Sequence, residues 1–147
     1  MTIDVSRVAW QPGYRIIPSR FPPINLFERV APAEDWDAII EVESLTNPRL
    51  REEAGDVSLV PVDERISGPG TSIIMAAFTH LTPSGSRFTD GTYGVFYLTP
   101  DLATAIDETK YHRERFMRDT NEEPIHVDMR VYLVDLDAEL HDIRDKQ

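Results

Sequence analysis

Arg87, Tyr97 and Glu108 share one stretch of the sequence, GSRFTDGTYGVFYLTPDLATAIDETKYH, which runs from Gly85 to His112. An arginine guanidinium offers a planar fork of donors that suits phosphate or carboxylate oxygens. A tyrosine can stack on a flat ring and use its hydroxyl on a sugar. With a carboxylate beside them, these groups suit a substrate that carries phosphates and a ribose.

The glutamate must be positioned by a helix. Thr99-Pro100-Asp101 combines a hydroxyl cap, a proline at the first position and an acid in the first turn, and it predicts a helix that runs to about Arg118. Thr104 then lies one turn before Glu108, so that a hydroxyl and a carboxylate can address one ligand. Spacing alone favours an exposed polar face, with Glu108 paired to His112 or Arg115.

Arg87 and Tyr97 must be positioned by the segment before that helix. Ser86 to Thr89 is predicted as a strand, Asp90-Gly91 as a turn, and Tyr93 to Leu98 as a second strand. Two alternatives stay open here. Arg87 can form a surface ion pair with Asp90 or Glu108, and Tyr97 can be a half-buried core residue.

The remaining pattern predicts a single α+β domain over residues 1–147, with a mixed or antiparallel sheet and flanking helices. Predicted strands and helices do not alternate as they would in a doubly wound fold. The predicted elements are an extended piece at 14–17, a helix from Pro32 to Asn47, a helical turn at 49–53, a strand at 58–62, a buried helix from Thr71, a strand at 126–136 and a weakly helical tail at 137–147.

Composition excludes several classes of function. The net charge is −11, and the chain has no basic stripe, which argues against nucleic-acid binding and favours a basic partner, although acidity also serves solubility. There are no cysteines, and the four histidines lack the spacing of metal ligands, so no metal site is predicted. No apolar run could span a bilayer and no signal peptide is visible, so we expect a cytoplasmic protein.

Taken together, Gly85, Arg87 and Phe88, then Tyr97, then Glu108 resemble the core signature of the RES-domain family, toxins of bacterial toxin–antitoxin pairs. Tyr14-Arg15-Ile16 is similar to the opening strand of that family. The segment FPPINLFERV and the apolar helix after Gly70 are similar to its longer branch. The resemblance covers roughly residues 14–136.

The resemblance implies an ADP-ribosyltransferase-like fold, NAD⁺ as the substrate, and an antitoxin with a helix-turn-helix domain whose tail blocks the NAD⁺ pocket. It implies that Glu108 stabilises an oxocarbenium-like transition state at the ribose, and that Arg87 holds the pyrophosphate or the ribose. Phe88 and Tyr97 would bind NAD⁺, with Tyr97 lining the nicotinamide pocket. Thr104 keeps a hydroxyl where relatives can carry a serine.

The implied reaction is transfer of ADP-ribose to a protein acceptor, with cleavage of NAD⁺ by water or phosphate as the alternative. The family pattern also includes a serine in a C-terminal segment, and nothing after Leu136 resembles that segment. We therefore expect the C-terminal strands of the sheet to be absent and an apolar edge to favour oligomerisation or a partner. A catalytically inactive antitoxin-binding module is the alternative from another class.

Overall fold

The structure is a computed structural model that describes residues 3–19 and 32–144, apart from the side chains of Arg51 and Glu53. The chain divides into two compact units. Unit 1 comprises Met1–Phe21 and Tyr97–Gln147, and unit 2 comprises Pro22–Phe96. That residues 1–147 form a single domain stays a prediction. The segment FPPINLFERV lies outside the described residues.

Unit 1 contains an antiparallel ribbon of two long strands, β1 (Asp4–Pro18) and β2 (Met129–Asp142). The register pairs Asp4 with Asp142 and Pro18 with Met129, with an irregularity between Trp10 and Gly13. Pro12 lies at that irregularity, where it has no N–H to donate to the ladder.

Both strand predictions in unit 1 are confirmed in kind but not in length. The extended piece at 14–17 is the end of the much longer β1, and the strand predicted at 126–136 is β2, which begins at Met129 and continues to Asp142. The weakly helical tail is therefore wrong over residues 137–142. Leu136, Ala138 and Leu140 alternate with acidic residues there, and that period of two is the period of a strand.

The long helix of unit 1, α4, spans Leu102–Thr120. The predicted helix is confirmed, but its cap is Asp101 and not Thr99. Asp101 has extended backbone angles, and its carboxylate accepts a hydrogen bond from the Thr104 N–H at 2.8 Å. Asn121 ends the helix in the left-handed conformation, which short amide side chains tolerate.

The described part of unit 2 contains three short helices, α1 (Trp36–Ser44), α2 (Pro48–Ala54) and α3 (Thr71–Thr79). All three were predicted. A 3₁₀ turn at Ala33–Asp35 precedes α1. The strand predicted at 58–62 is wrong: two 3₁₀ turns occupy Val57–Leu59 and Val62–Glu64, and the Asp56 carboxylate caps the first of them at the Ser58 N–H.

The segment from Ser86 to Leu98 also differs from the prediction. Ser86 and Thr89 form a single bridge that closes a tight turn, not a strand, and residues 93–98 form no strand. Gly85 has φ +71°, and a Cβ there would lie 2.5 Å from the Thr89 carbonyl oxygen, so the turn requires glycine. The α+β class is confirmed: the described residues combine helices with an antiparallel two-stranded sheet.

The core of unit 2 is a cluster of apolar side chains that α1, α3 and the 3₁₀ turns bring together: Trp36, Val57, Val60 and Met75, with Ala33, Ile40 and Phe78 against them. Arg65 connects the segments around this core by hydrogen bonds, and its side chain is only 4% exposed. Its guanidinium donates to the carbonyl oxygens of Ala33, Val57 and Val60 and to the Asp37 carboxylate. A buried charge is tolerated because these acceptors replace water.

No described helix has the length and apolar character that crossing a membrane requires.

Candidate functional site

The segment that carries Tyr97 is held on β1 by backbone hydrogen bonds. Tyr14 and Thr99 exchange both of theirs, at 2.8 and 3.0 Å. The preceding residues, Gly13 and Leu98, pack so closely that a Cβ on Gly13 would lie 2.6 Å from Leu98 Cδ2. Tyr97 is thereby fixed at its backbone while its residue remains 38% exposed. A ligand can reach a ring held in this way.

Arg15 joins this segment and is a functional candidate that the sequence analysis treated only as part of a strand. Its Nη1 donates to the Tyr97 carbonyl oxygen at 3.0 Å. Burial lowers the pKa of the Arg15 guanidinium, which nevertheless stays charged because arginine does not deprotonate in proteins. The signal in the sequence was a single cation inside the apolar strand Tyr14-Arg15-Ile16-Ile17.

Thr104 lies in the first turn of α4 and serves its cap. Its hydroxyl donates to Asp101 Oδ2 at 2.8 Å, while its N–H donates to Oδ1. These two hydrogen bonds hold the pKa of the Asp101 carboxyl below its usual value. The Thr104 oxygen keeps acceptor capacity for a ligand, because a hydroxyl can accept while it donates.

Glu108 lies one turn further along α4 with its side chain 47% exposed. One carboxylate oxygen is 3.4 Å from His112 Nε2, so the i, i+4 pairing that spacing alone suggested is present. The other suggested partner, Arg115, pairs instead with Asp119 at 3.8 Å. Both members of the Glu108–His112 pair are about half exposed, so the carboxylate can be reached from solvent.

Arg87 and Phe88 lie in unit 2, in the turn that Ser86 and Thr89 close. The Arg87 guanidinium carbon is 5.9 Å from the centroid of the Phe88 ring. The Tyr93 hydroxyl donates to the Phe88 carbonyl oxygen at 2.5 Å and so fixes the backbone next to Arg87. Asp90, which spacing offered as an ion-pair partner for Arg87, accepts two hydrogen bonds from Thr92, and they lower the pKa of its carboxyl.

The predicted residues thus fall into two groups. Unit 1 holds Tyr97, Thr104 and Glu108, with Arg15 beside Tyr97, and unit 2 holds Arg87 and Phe88. Their catalytic and binding roles stay predictions. Among the described residues, no group of three or more histidine or acidic side chains is placed to hold a metal ion.

A protein-family model described as the RES domain matches residues 63–147, more than half of the chain and all five predicted site residues. The chain belongs to the RES-domain family. The resemblance read from residues 85–112 is therefore confirmed, and the RES domain is a family associated with toxins.

The chain is also similar to a protein of Sinorhizobium fredii that carries the name "Uncharacterized protein y4oC". The two are 35% identical over 131 residues, which cover 89% of the chain and 56% of that relative. The chain therefore spans little more than half the length of the curated relative it matches. No solved structure matches the chain.

Proposed function

We propose that this RES-domain protein is the toxin of a bacterial toxin–antitoxin pair and that it transfers ADP-ribose from NAD⁺ to a protein acceptor. Family membership supports the proposal, and one observation carries it. The Glu108 carboxylate is accessible on α4, in the same unit that holds Tyr97 and the Arg15 guanidinium. We also propose that the fold resembles that of ADP-ribosyltransferases.

The side chains suit NAD⁺ by their chemistry. Arg15 and Arg87 supply charged donors for a pyrophosphate, and Tyr97 offers an exposed ring with a hydroxyl for nicotinamide and ribose. Phe88, under the Arg87 guanidinium, adds a second aromatic surface. Thr104 contributes a hydroxyl oxygen one helical turn before Glu108.

NAD⁺ supplies a ribose–nicotinamide bond whose cleavage builds positive charge on the ribose. The Glu108 carboxylate stabilises that charge as it develops, so it lowers the energy of the transition state more than that of the bound substrate. Nicotinamide leaves with the bonding electron pair. The acceptor forms the new bond to the ribose, and Glu108 orients it and takes its proton.

Water or phosphate as the acceptor is the second candidate, which would make the protein an NAD⁺ glycohydrolase or phosphorylase. The observation that favours it is the half exposure of Glu108, since an accessible carboxylate can also activate water. The transition state at the ribose is the same in both reactions, so the two differ only in what receives ADP-ribose.

The proposed partner is an antitoxin with a helix-turn-helix domain. We propose that the two proteins meet in the cytoplasm. The net charge of −11 favours a basic segment of such a partner at the surface of this chain.

The test follows the label from adenine-labelled NAD⁺ in the presence of a cell extract, with phosphate present or absent. Glu108→Gln is compared with Glu114→Gln, which changes an exposed glutamate of the same helix. Label on protein that depends on Glu108 supports transfer. Free ADP-ribose or its phosphate supports the second candidate, and wild-type protein as inert as Glu108→Gln contradicts both enzymatic candidates.

A further inference from the structure

Unit 2 contains a pocket that neither the RES-domain match nor the NAD⁺ proposal accounts for. Its volume is about 400 Å³, within the range of small-ligand sites. Residues from three short segments line it: Leu59, Val60, Pro61, Glu64 and Ile66, then Ile74, Met75 and Phe78 of α3, and Thr92, Tyr93 and Gly94. All three belong to unit 2.

Close packing fixes the walls of this pocket. Met75, at 2% exposure, and Phe78 belong to the core of unit 2 or pack against it. Gly94 also lines the pocket and lies directly against α3, because a Cβ there would be 2.2 Å from the Ala77 carbonyl oxygen. Residues that pack closely on one another therefore border the pocket.

The polar groups of the pocket are few, and two are already engaged. The Tyr93 hydroxyl donates to the Phe88 carbonyl oxygen, and the Thr92 hydroxyl donates to Asp90. No hydrogen bond or ion pair joins the Glu64 carboxylate to another residue in the described part of the chain. Glu64 is exposed, so this carboxylate stands at the opening to solvent.

The lining also excludes a class of ligand. Among the described residues, it contains no lysine, arginine or histidine, and its one charge is negative. A dinucleotide or another phosphate-bearing molecule would find no cation and would be repelled by Glu64. The pocket is therefore distinct in chemistry from the residues proposed to hold NAD⁺.

We propose that this pocket is a binding site for a small apolar or aromatic molecule with one cationic amine. The apolar body contacts Ile74, Met75 and Phe78, and the ammonium group pairs with Glu64 at the opening. The binding site itself does not depend on the proposed function.

The experiment titrates the full chain with three probes that share a phenyl body: phenethylamine, 2-phenylethanol and 3-phenylpropionate. Ligand-observed NMR gives the Kd of each. We expect the amine to bind about two- to fivefold more tightly than the alcohol, as for an exposed ion pair, and the acid to bind most weakly. Equal affinity for all three probes would overturn the assignment of an amine.

Variants then locate the site. Glu64→Gln should remove the advantage of the amine while the alcohol still binds, whereas Glu41→Gln, an exposed glutamate of α1, should change neither. Ile74→Trp fills the pocket and should abolish binding of all probes. Ile66→Trp, at a more exposed lining position, repeats that test if Ile74→Trp does not fold.

Two results would contradict the site. One is unchanged binding in a folded tryptophan variant. The other is a dimer of the wild-type chain in light scattering that either tryptophan variant dissociates, because the pocket would then be a contact between two copies. Neither result bears on NAD⁺ turnover, so failure here and failure of the proposed function are separable.

Discussion

Unit 1 and unit 2 are stabilised in different ways. Among the described residues, the fully buried apolar side chains lie in unit 2 with one exception, Ala105 on α4. Unit 1 relies instead on the β1–β2 ladder and on the backbone pairs between Tyr14 and Thr99. The side chains proposed for catalysis in unit 1, Tyr97 and Glu108, are therefore not part of a buried core. We expect their replacement to change the free energy of unfolding little.

The largest expected effect is in the core of unit 2. Met75→Ala removes the largest fully buried side chain of the described residues and should lower the free energy of unfolding by about 2–5 kcal/mol, because its loss leaves a cavity in the core. Urea unfolding followed by far-UV circular dichroism measures it. Val42→Ala on the exposed face of α1 should stay within about 0.5 kcal/mol of wild type. Equal effects of the two variants would contradict the close-packed core of unit 2 around Met75.

A smaller effect is expected where unit 1 does pack closely. Gly13→Ala introduces a Cβ against Leu98 and should lower the free energy of unfolding by about 1–3 kcal/mol, measured by urea unfolding with far-UV circular dichroism. Adding Leu98→Ala makes room for the new methyl group, so the double variant should lose less stability than the sum of the single variants. Strict additivity would show that the contact with Leu98 is not the cause.

The α4 cap gives unit 1 a dependence on pH. Hydrogen bonds from Thr104 lower the pKa of Asp101 in the folded chain, so the stabilisation is fully present above the unfolded-state pKa and is lost as the pH falls through the folded-state pKa. Asp101→Asn keeps an acceptor but removes this titration, and it should flatten the loss of stability in acid. Asp107→Asn, elsewhere on α4, is the control. Parallel acid-unfolding curves for Asp101→Asn and wild type would contradict the account.

The smallest effect is expected at the Arg7–Asp137 pair of the ribbon. Both side chains lie largely in solvent, so the bidentate contact at 2.7 Å should be screened by salt. Arg7→Ala should shift the thermal midpoint slightly at low ionic strength and not measurably at high ionic strength. A large, salt-independent shift would mean that side chains, and not the backbone ladder, hold unit 1 together.

The sequence predicted the helices better than the strands, for physical reasons. Helices α1 to α4 each carry local signals, such as Pro32, Asn47-Pro48 and Asp101, within one turn of their ends. Strands depend on a distant partner. Ser86–Thr89 and Tyr93–Leu98 have the composition of strands but find no ladder, while residues 137–142 join β2 because β1 pairs with them.

The candidate site shows the same limit. Residues 85–112 identified the family without a structure, because the spacing of Arg87, Tyr97 and Glu108 is local. The contact of Arg15 with the Tyr97 carbonyl joins positions 82 residues apart and could not be read from spacing. The structure shows that Glu108 pairs with His112, and a measurement of NAD⁺ turnover is needed to test whether Glu108 also acts on a substrate.

The most direct test of that chemistry is the rate of nicotinamide release from saturating NAD⁺, measured for wild type, Glu108→Gln and Glu114→Gln, with the Kd for NAD⁺ determined in parallel. The account predicts that Glu108→Gln lowers the rate about 100-fold or more with little change in Kd, while Glu114→Gln matches wild type. An unchanged rate in folded Glu108→Gln would contradict it.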